Sequence, residues 1–175
     1  MKRSKYKIII SVMLIVILVG WHVESYAHVP STYHFRSSVI THYYVSGSAS
    51  YNNAVTTSIS YWNNNSVAHF SSSSSGAQIS INEGNFGAAG WDGLCQMSKY
   101  NGYYSAGSVL VNSYYTSSYP SLKVRSVAAH ELGHVLGLAE CSSRDLMYQT
   151  SDVRYDTYRI YVPTYSDIST VNGLY

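Results

Sequence analysis

Residues 130–140 read HELGHVLGLAE, and this stretch constrains the fold more tightly than any other in the chain. His130 and His134 stand four apart. On a helix such positions share a face, so both imidazoles can point at one spot. Zinc takes imidazole nitrogen at about 2.0–2.1 Å, so a metal site here requires a helix through both histidines. Glu131 is rotated off that line. A carboxylate there reaches a water on the metal rather than the metal, and accepts its proton as the water attacks a carbonyl. Gly137 can adopt positive φ, which ends the helix and turns the chain back. That turn carries residue 140 toward the histidines. A catalytic zinc keeps three protein ligands and an open fourth position. Glu140 is the expected third ligand, with Cys141 and Asp145 as alternatives.

The apolar pattern around the motif gives the surrounding elements. Val124, Val127, Ala128, Leu132 and Val135 continue one helical face up to Gly137. Upstream, SVITHYYVSG (38–47) is β-branched and aromatic and ends in turn formers, which predicts a strand. In residues 48–65, Tyr51, Val55, Ile59 and Trp62 recur at helical spacing, and NNN ends the helix. Short strands are expected at 67–71, 77–81 and 107–112. A glycine-rich loop (84–93) leads to an edge strand near Leu94–Ser98. A last helix is expected to start with Ser166 as N-cap and to bury Ile168, Val171 and Leu174.

The N-terminus reads as a targeting segment. MKRSKYK is basic, and IIISVMLIVILVG is an apolar run of 13 residues. Such a run suits a secretory h-region and is marginal for crossing a bilayer core of about 30 Å, the alternative being a retained anchor. SYA at 25–27 places small residues where a signal peptidase reads. The expectation is a signal peptide at 1–27, a single catalytic domain at 28–175 and an extracellular location with no stable membrane association after cleavage. Four of the eleven basic residues lie in the targeting segment, and seven basic and eight acidic residues follow Ala27. A body that balanced, without a basic stripe, disfavours nucleic-acid binding. In an oxidising compartment the two cysteines, Cys95 and Cys141, are expected to pair.

The motif resembles the His-Glu-x-x-His-x-x-Gly-x-x-His zinc signature of the metzincin metalloproteases. RDLMY (144–148) resembles their Met-turn, with Met147 beneath the metal. AAHELGHVLGL is closest to the matrixin branch, and VPTYSDISTVNGLY (162–175) resembles that branch's closing helix. The resemblance implies an α+β, zincin-like fold: a twisted, mostly parallel sheet with an antiparallel edge strand, an active-site helix and a short C-terminal helix. It implies a Zn2+ endopeptidase, expected to be monomeric, that binds a protein or peptide as an extended strand along the sheet edge. In that reading His130, His134 and Glu140 hold zinc, Glu131 is the catalytic base, and Gly137 and Met147 shape the site.

The departures from the family pattern carry consequences. Glu140 stands where the family usually has His. A carboxylate ligand adds negative charge and leaves the metal a weaker Lewis acid. MYQTS lacks the Pro-x-Tyr that walls the pocket beyond the scissile bond, a role open to Tyr155 or Tyr158. His34, His42 and His69 are scattered and do not suggest a second zinc site. Asn82, Glu83 and Asp92 offer oxygens that suit calcium, although turn-forming polar residues are the simpler account. The 19 tyrosines, with abundant Ser and Asn, fit a second class of function, a secreted binding or adhesion module with a degenerate site. Glu131 discriminates, because a binding module needs no general base beside two histidines.

Overall fold

The computed structural model describes residues 30–175. The expected signal peptide at 1–27 lies outside those residues. Among the described residues, no helix is long and apolar enough to cross a membrane.

The chain begins with β1 (Val39–Tyr44), whose Ile40 and His42 turn inward while Val39 faces solvent. Helix α1 (Ala49–Asn65) follows at the predicted place. Its N-cap, Ser48, accepts a hydrogen bond from the Tyr51 N–H, and Tyr51, Val55 and Trp62 are fully buried as the spacing predicts. Then come β2 (His69–Ser72), β3 (Ile79–Gly84), β4 (Gly93–Tyr100) and β5 (Tyr103–Asn112). A single helical turn, α2 (Ser113–Thr116), precedes helix α3 (Ser121–Val135), which carries His130 and His134. A π-helical turn at Asp152–Thr157 and the terminal helix α4 (Tyr165–Leu174) complete the chain.

The five strands form one sheet in the order β2-β1-β3-β5-β4. All pairs are parallel except β4 with β5. The expected class and the antiparallel edge strand are therefore both present. The β4–β5 pairing extends further than the sequence suggested, because Asn101 and Gly102 both take positive φ (48° and 81°). Two such residues close a tight hairpin whose twist suits the flanking strands.

Helix α3 packs against α1 and across β4 and β5. Val124, Ala128, Leu132 and Val135 meet Ile79, Ile81, Val109 and Val111 in one core. Each aliphatic side chain buried there contributes roughly 1.5–3 kcal/mol. The indole Nε1–H of Trp62 donates to the Ala129 carbonyl at 3.1 Å and so fixes α1 against α3. One boundary differs from expectation. The N-cap of α4 is Thr164, not Ser166, because Asp167 sits three residues after Thr164 and completes a capping box. The same carboxylate accepts the Leu146 N–H at 3.1 Å, so the last helix anchors the Met-turn. Val171 is buried, and Ile168 packs partly against the core.

Candidate metal centre and active-site cleft

The helix that carries both histidines is stopped by its own sequence. Gly137 has φ 91°. Its N–H donates to the His134 carbonyl and the Leu138 N–H to the Gly133 carbonyl, both at 3.0 Å. This pair of bonds is a Schellman cap, and it needs the left-handed residue that glycine supplies. The reversed chain then delivers Glu140 to the open end of the site. Beneath, Met147 is fully buried, and a Cβ on Gly133 would stand 2.5 Å from its sulfur. The helix thus rests on the Met-turn through a glycine.

The histidine tautomers follow from their partners. His130 Nδ1 lies 2.9 Å from the Leu146 carbonyl, and His134 Nδ1 lies 2.9 Å from the Leu138 carbonyl. A carbonyl only accepts, so each Nδ1 carries the hydrogen and each Nε2 presents a lone pair. The two Nε2 atoms are 3.1 Å apart, and Glu140 Oε1 is 3.3 and 3.2 Å from them. Three acceptors therefore converge with no hydrogen among them, an arrangement that is repulsive without a cation. Ligands about 2.0–2.1 Å from a tetrahedral zinc stand about 3.3 Å from one another. The site matches that size. Among the described residues, this trio is the one group of three ligating side chains that converges.

Of the candidate third ligands, the fold brings Glu140 to the histidines. Asp145 instead accepts hydrogen bonds from Ser143 and Thr164. Cys141 is paired to Tyr148 by a backbone bridge, and its sulfur lies against Ser143.

Burial and charge distinguish these groups. Burial, followed by the charge of Arg154, lowers His130 to about 4, which favours the neutral imidazole a metal needs. Burial alone would lower His134, but Glu140 and Glu131 outweigh it and raise that group. Burial pushes Glu140 up, yet its contacts with the two histidines prevail and hold it well below the usual carboxylate range. Glu131 lies beside the trio and outside it. Burial pushes its carboxyl up to about 7.

The site opens into a cavity of about 390 Å³ lined by Gly90–Gly93 at the start of β4, by Tyr115 and Tyr119, and by Gln149–Asp152 and Arg154. The wall tyrosines are thus Tyr115 and Tyr119. Of the two suggested by sequence, Tyr158 packs edge-on to Tyr148, and Tyr155 is buried. Two residues here carried no sequence signal. Asn112 is fully buried and ties Phe86, Gly87 and Trp91 to the end of β5, which holds the glycine-rich rim. Arg154 reaches back from the π-helical turn to Ser126, Tyr148 and His130. Lys123, buried on α3, pins that turn through Asp152 and Asp156, each at 2.6 Å.

One expectation is revised. Cys95 and Cys141 are not joined. Cys95 faces the cleft from β4 beside His134, whereas the bridge to Tyr148 keeps Cys141 in the Met-turn loop. The calcium candidates are engaged separately. Glu83 accepts hydrogen bonds from the Ser48 N–H and hydroxyl at the start of α1. Asp92 accepts from Ser151 and Tyr119.

A family model described as matrixin matches residues 28–175. No curated protein matches the chain. Among solved structures, a chain of the GM1-bound form of the ECX AB5 holotoxin is similar, with a TM-score of 0.60 and 14% identity. The match covers 83% of this chain and 86% of that one, and at this identity the likeness is one of fold. The family match spans the sheet, the histidine helix and the Met-turn together, and the chain belongs to the matrixin family of zinc metallopeptidases.

Proposed function

We propose that the chain is a secreted, monomeric endopeptidase. Residues 1–27 direct export, and 28–175 form the catalytic domain. His130, His134 and Glu140 hold Zn2+, and Glu131 is the general base. The observation that carries this reading is the convergence of three metal-free acceptors with Glu131 alongside. Zinc, when bound, supplies a Lewis acid and makes water acidic enough to be deprotonated near neutral pH.

The chain's own residues account for the rest. Leu146 and Leu138 carbonyls fix the imidazole orientations, as such outer partners do in metal sites. Glu131 accepts a proton at its carboxylate and passes it to the leaving amine. An acid near 7 is well matched to that two-way transfer. As the edge strand, β4 has backbone N–H and C=O groups on its outer side that suit an extended peptide.

The test uses residues 28–175 as parent, Glu131→Gln and Glu140→Gln. Zinc content is measured after dialysis against a weak chelator, beside hydrolysis of a mixed peptide library. Glu131→Gln should keep zinc and lose turnover by roughly 10² or more, the size of general-base effects. Glu140→Gln should lose zinc under the same dialysis while staying folded by circular dichroism. A zinc-loaded parent that cuts no peptide would sink the enzyme reading and leave the adhesion module. A Glu140→Gln chain that holds zinc and cuts like the parent would remove Glu140 from the ligand set.

A further inference from the structure

A second, smaller pocket of about 280 Å³ adjoins the metal centre on the His134 side. Besides His134 it is lined by Cys95, Met97 and Lys99, alternate residues of β4, and by Tyr104 of β5. Its inner end is apolar. Met97 lies flat against Gly107 of β5, where any side chain would collide with its sulfur. Tyr104 is a fixed wall: its hydroxyl is hydrogen-bonded to Ser31 Oγ at 3.0 Å, and its ring packs against Tyr33 and Phe35.

Lys99 stands at the outer end. Its Nζ lies 4.1 Å from the centre of the Tyr33 ring. A ring face holds an ammonium by its charge without using up the N–H donors. No carboxylate among the described residues pairs with this ammonium, and the ion-paired lysine of the fold is Lys123, at the far end of the cleft. The contrast with the larger cavity is one of sign. Asp92, Glu131, Glu140 and Asp152 line that cavity beside Arg154, whereas no carboxylate lines the pocket that Lys99 closes.

The strand direction says which part of a substrate passes Lys99. Gly93 packs on Glu131, Cys95 lies beside His134, and Lys99 follows four positions further along β4. A peptide antiparallel to β4 runs from the Lys99 end toward Gly93. The pocket therefore meets residues before the scissile bond, and its outer end meets the one roughly three to five positions before it. A side chain suited to the pocket has an apolar stem to lie on Met97 and Tyr104 and a negative tip to meet Lys99. Glutamate has both.

We propose that Lys99 is a specificity residue that selects an acidic side chain on the N-terminal side of the scissile bond. The proposal rests on the peptidase reading above.

The experiment measures kcat/KM for blocked peptides that carry Glu, Gln or Lys in turn at each of the five positions before the scissile bond. An exposed ion pair is modest, so the parent should favour Glu over Gln by roughly two- to fivefold at one of the outer three positions. The preference should decline toward one as salt rises from about 50 mM to about 0.5 M, because an exposed charge pair is screened. In Lys99→Glu attraction becomes repulsion, so the Glu-to-Lys ratio at that position should fall roughly tenfold. Lys99 is exposed and holds no other element in place, and a ratio cancels any general loss of rate. A fall of less than threefold in Lys99→Glu would overturn the proposal, as would a parent that prefers Gln or Lys to Glu at all five positions.

A binding measurement separates this proposal from the peptidase reading. Fluorescence anisotropy compares the same labelled peptides on zinc-loaded Glu131→Gln protein with and without Lys99→Glu. If the parent cuts no peptide but the Glu peptide binds more tightly and the charge swap reverses the order, the peptidase reading falls and the Lys99 site stands. If peptides are cut with no preference that depends on Lys99, the Lys99 site falls and the peptidase reading stands.

Discussion

Gly93 on the edge strand β4 lies close against helix α3, and adding one methyl there should misplace Glu131. A Cβ on Gly93 would lie 2.5 Å from Glu131 Oε1, 2.8 Å from Glu131 Cγ and 2.7 Å from Val127 Cγ1. Ordinary carbon contacts are about 3.5–4.0 Å, so the gap must open by about 1 Å. Val127 is fully buried in the core and cannot withdraw. Gly93 is paired with Val111, which resists lifting of the strand. The Glu131 side chain is the part that can give. Overpacking of this kind costs about 1–3 kcal/mol, so Gly93→Ala should remain folded with a melting point several degrees lower. An error of about 1 Å in a catalytic group reduces rate by roughly 10²-fold. The three atoms nearest the added methyl belong to Glu131 and Val127 and none to His130 or His134, so zinc content should be unchanged. The assay is peptide hydrolysis by protein matched for zinc content by atomic absorption. A zinc-replete Gly93→Ala enzyme within twofold of the parent would refute the idea that strand–helix spacing sets the position of Glu131.

Asn112→Ala should release the rim of the cleft. It removes hydrogen bonds to Phe86, Gly87, Trp91 and Tyr114, for a net loss of about 2–4 kcal/mol, and amide exchange should quicken across 86–92. Unchanged protection there would show that the rim is held by other contacts. The protein should carry two thiols: unfolded without reductant, it should take up two alkyl groups, and uptake of none would restore the disulfide. In the native state Cys95 should react slowly, since burial and then the charge of Glu131 push its thiol far up. A fast native reaction at Cys95 would contradict that burial.

How much of this was legible in the sequence depended on how local each determinant is. Helix α1 and helix α3 could be read because their buried faces repeat within a few residues, and because NNN and Gly137 mark their C-terminal ends. The placement of Glu140 was foreseen from the turn at Gly137, and the pairings of Leu138 with Pro30 and of Cys141 with Tyr148 hold the chain on either side of it. The start of α4 was misplaced by two residues. Both Thr164 and Ser166 can cap a helix, and the choice falls to Asp167, which must also reach Leu146. The cysteine pairing failed for a deeper reason. Compartment and count say only that two thiols have the opportunity to bond, while sheet register and the Met-turn decide where each sulfur points. Arg154 was the hardest to foresee. Nothing in SDVRYDT marks the arginine as buried, and an amphipathic reading would leave it in solvent. It turns inward because Lys123 holds Asp152 and Asp156 on the outer side of the π-helical turn, which leaves the intervening arginine facing α3, Ser126 and the back of His130. Its position is set by contacts across the fold rather than by its neighbours in sequence, so the arginine that backs His130 is also the residue the sequence conceals most completely.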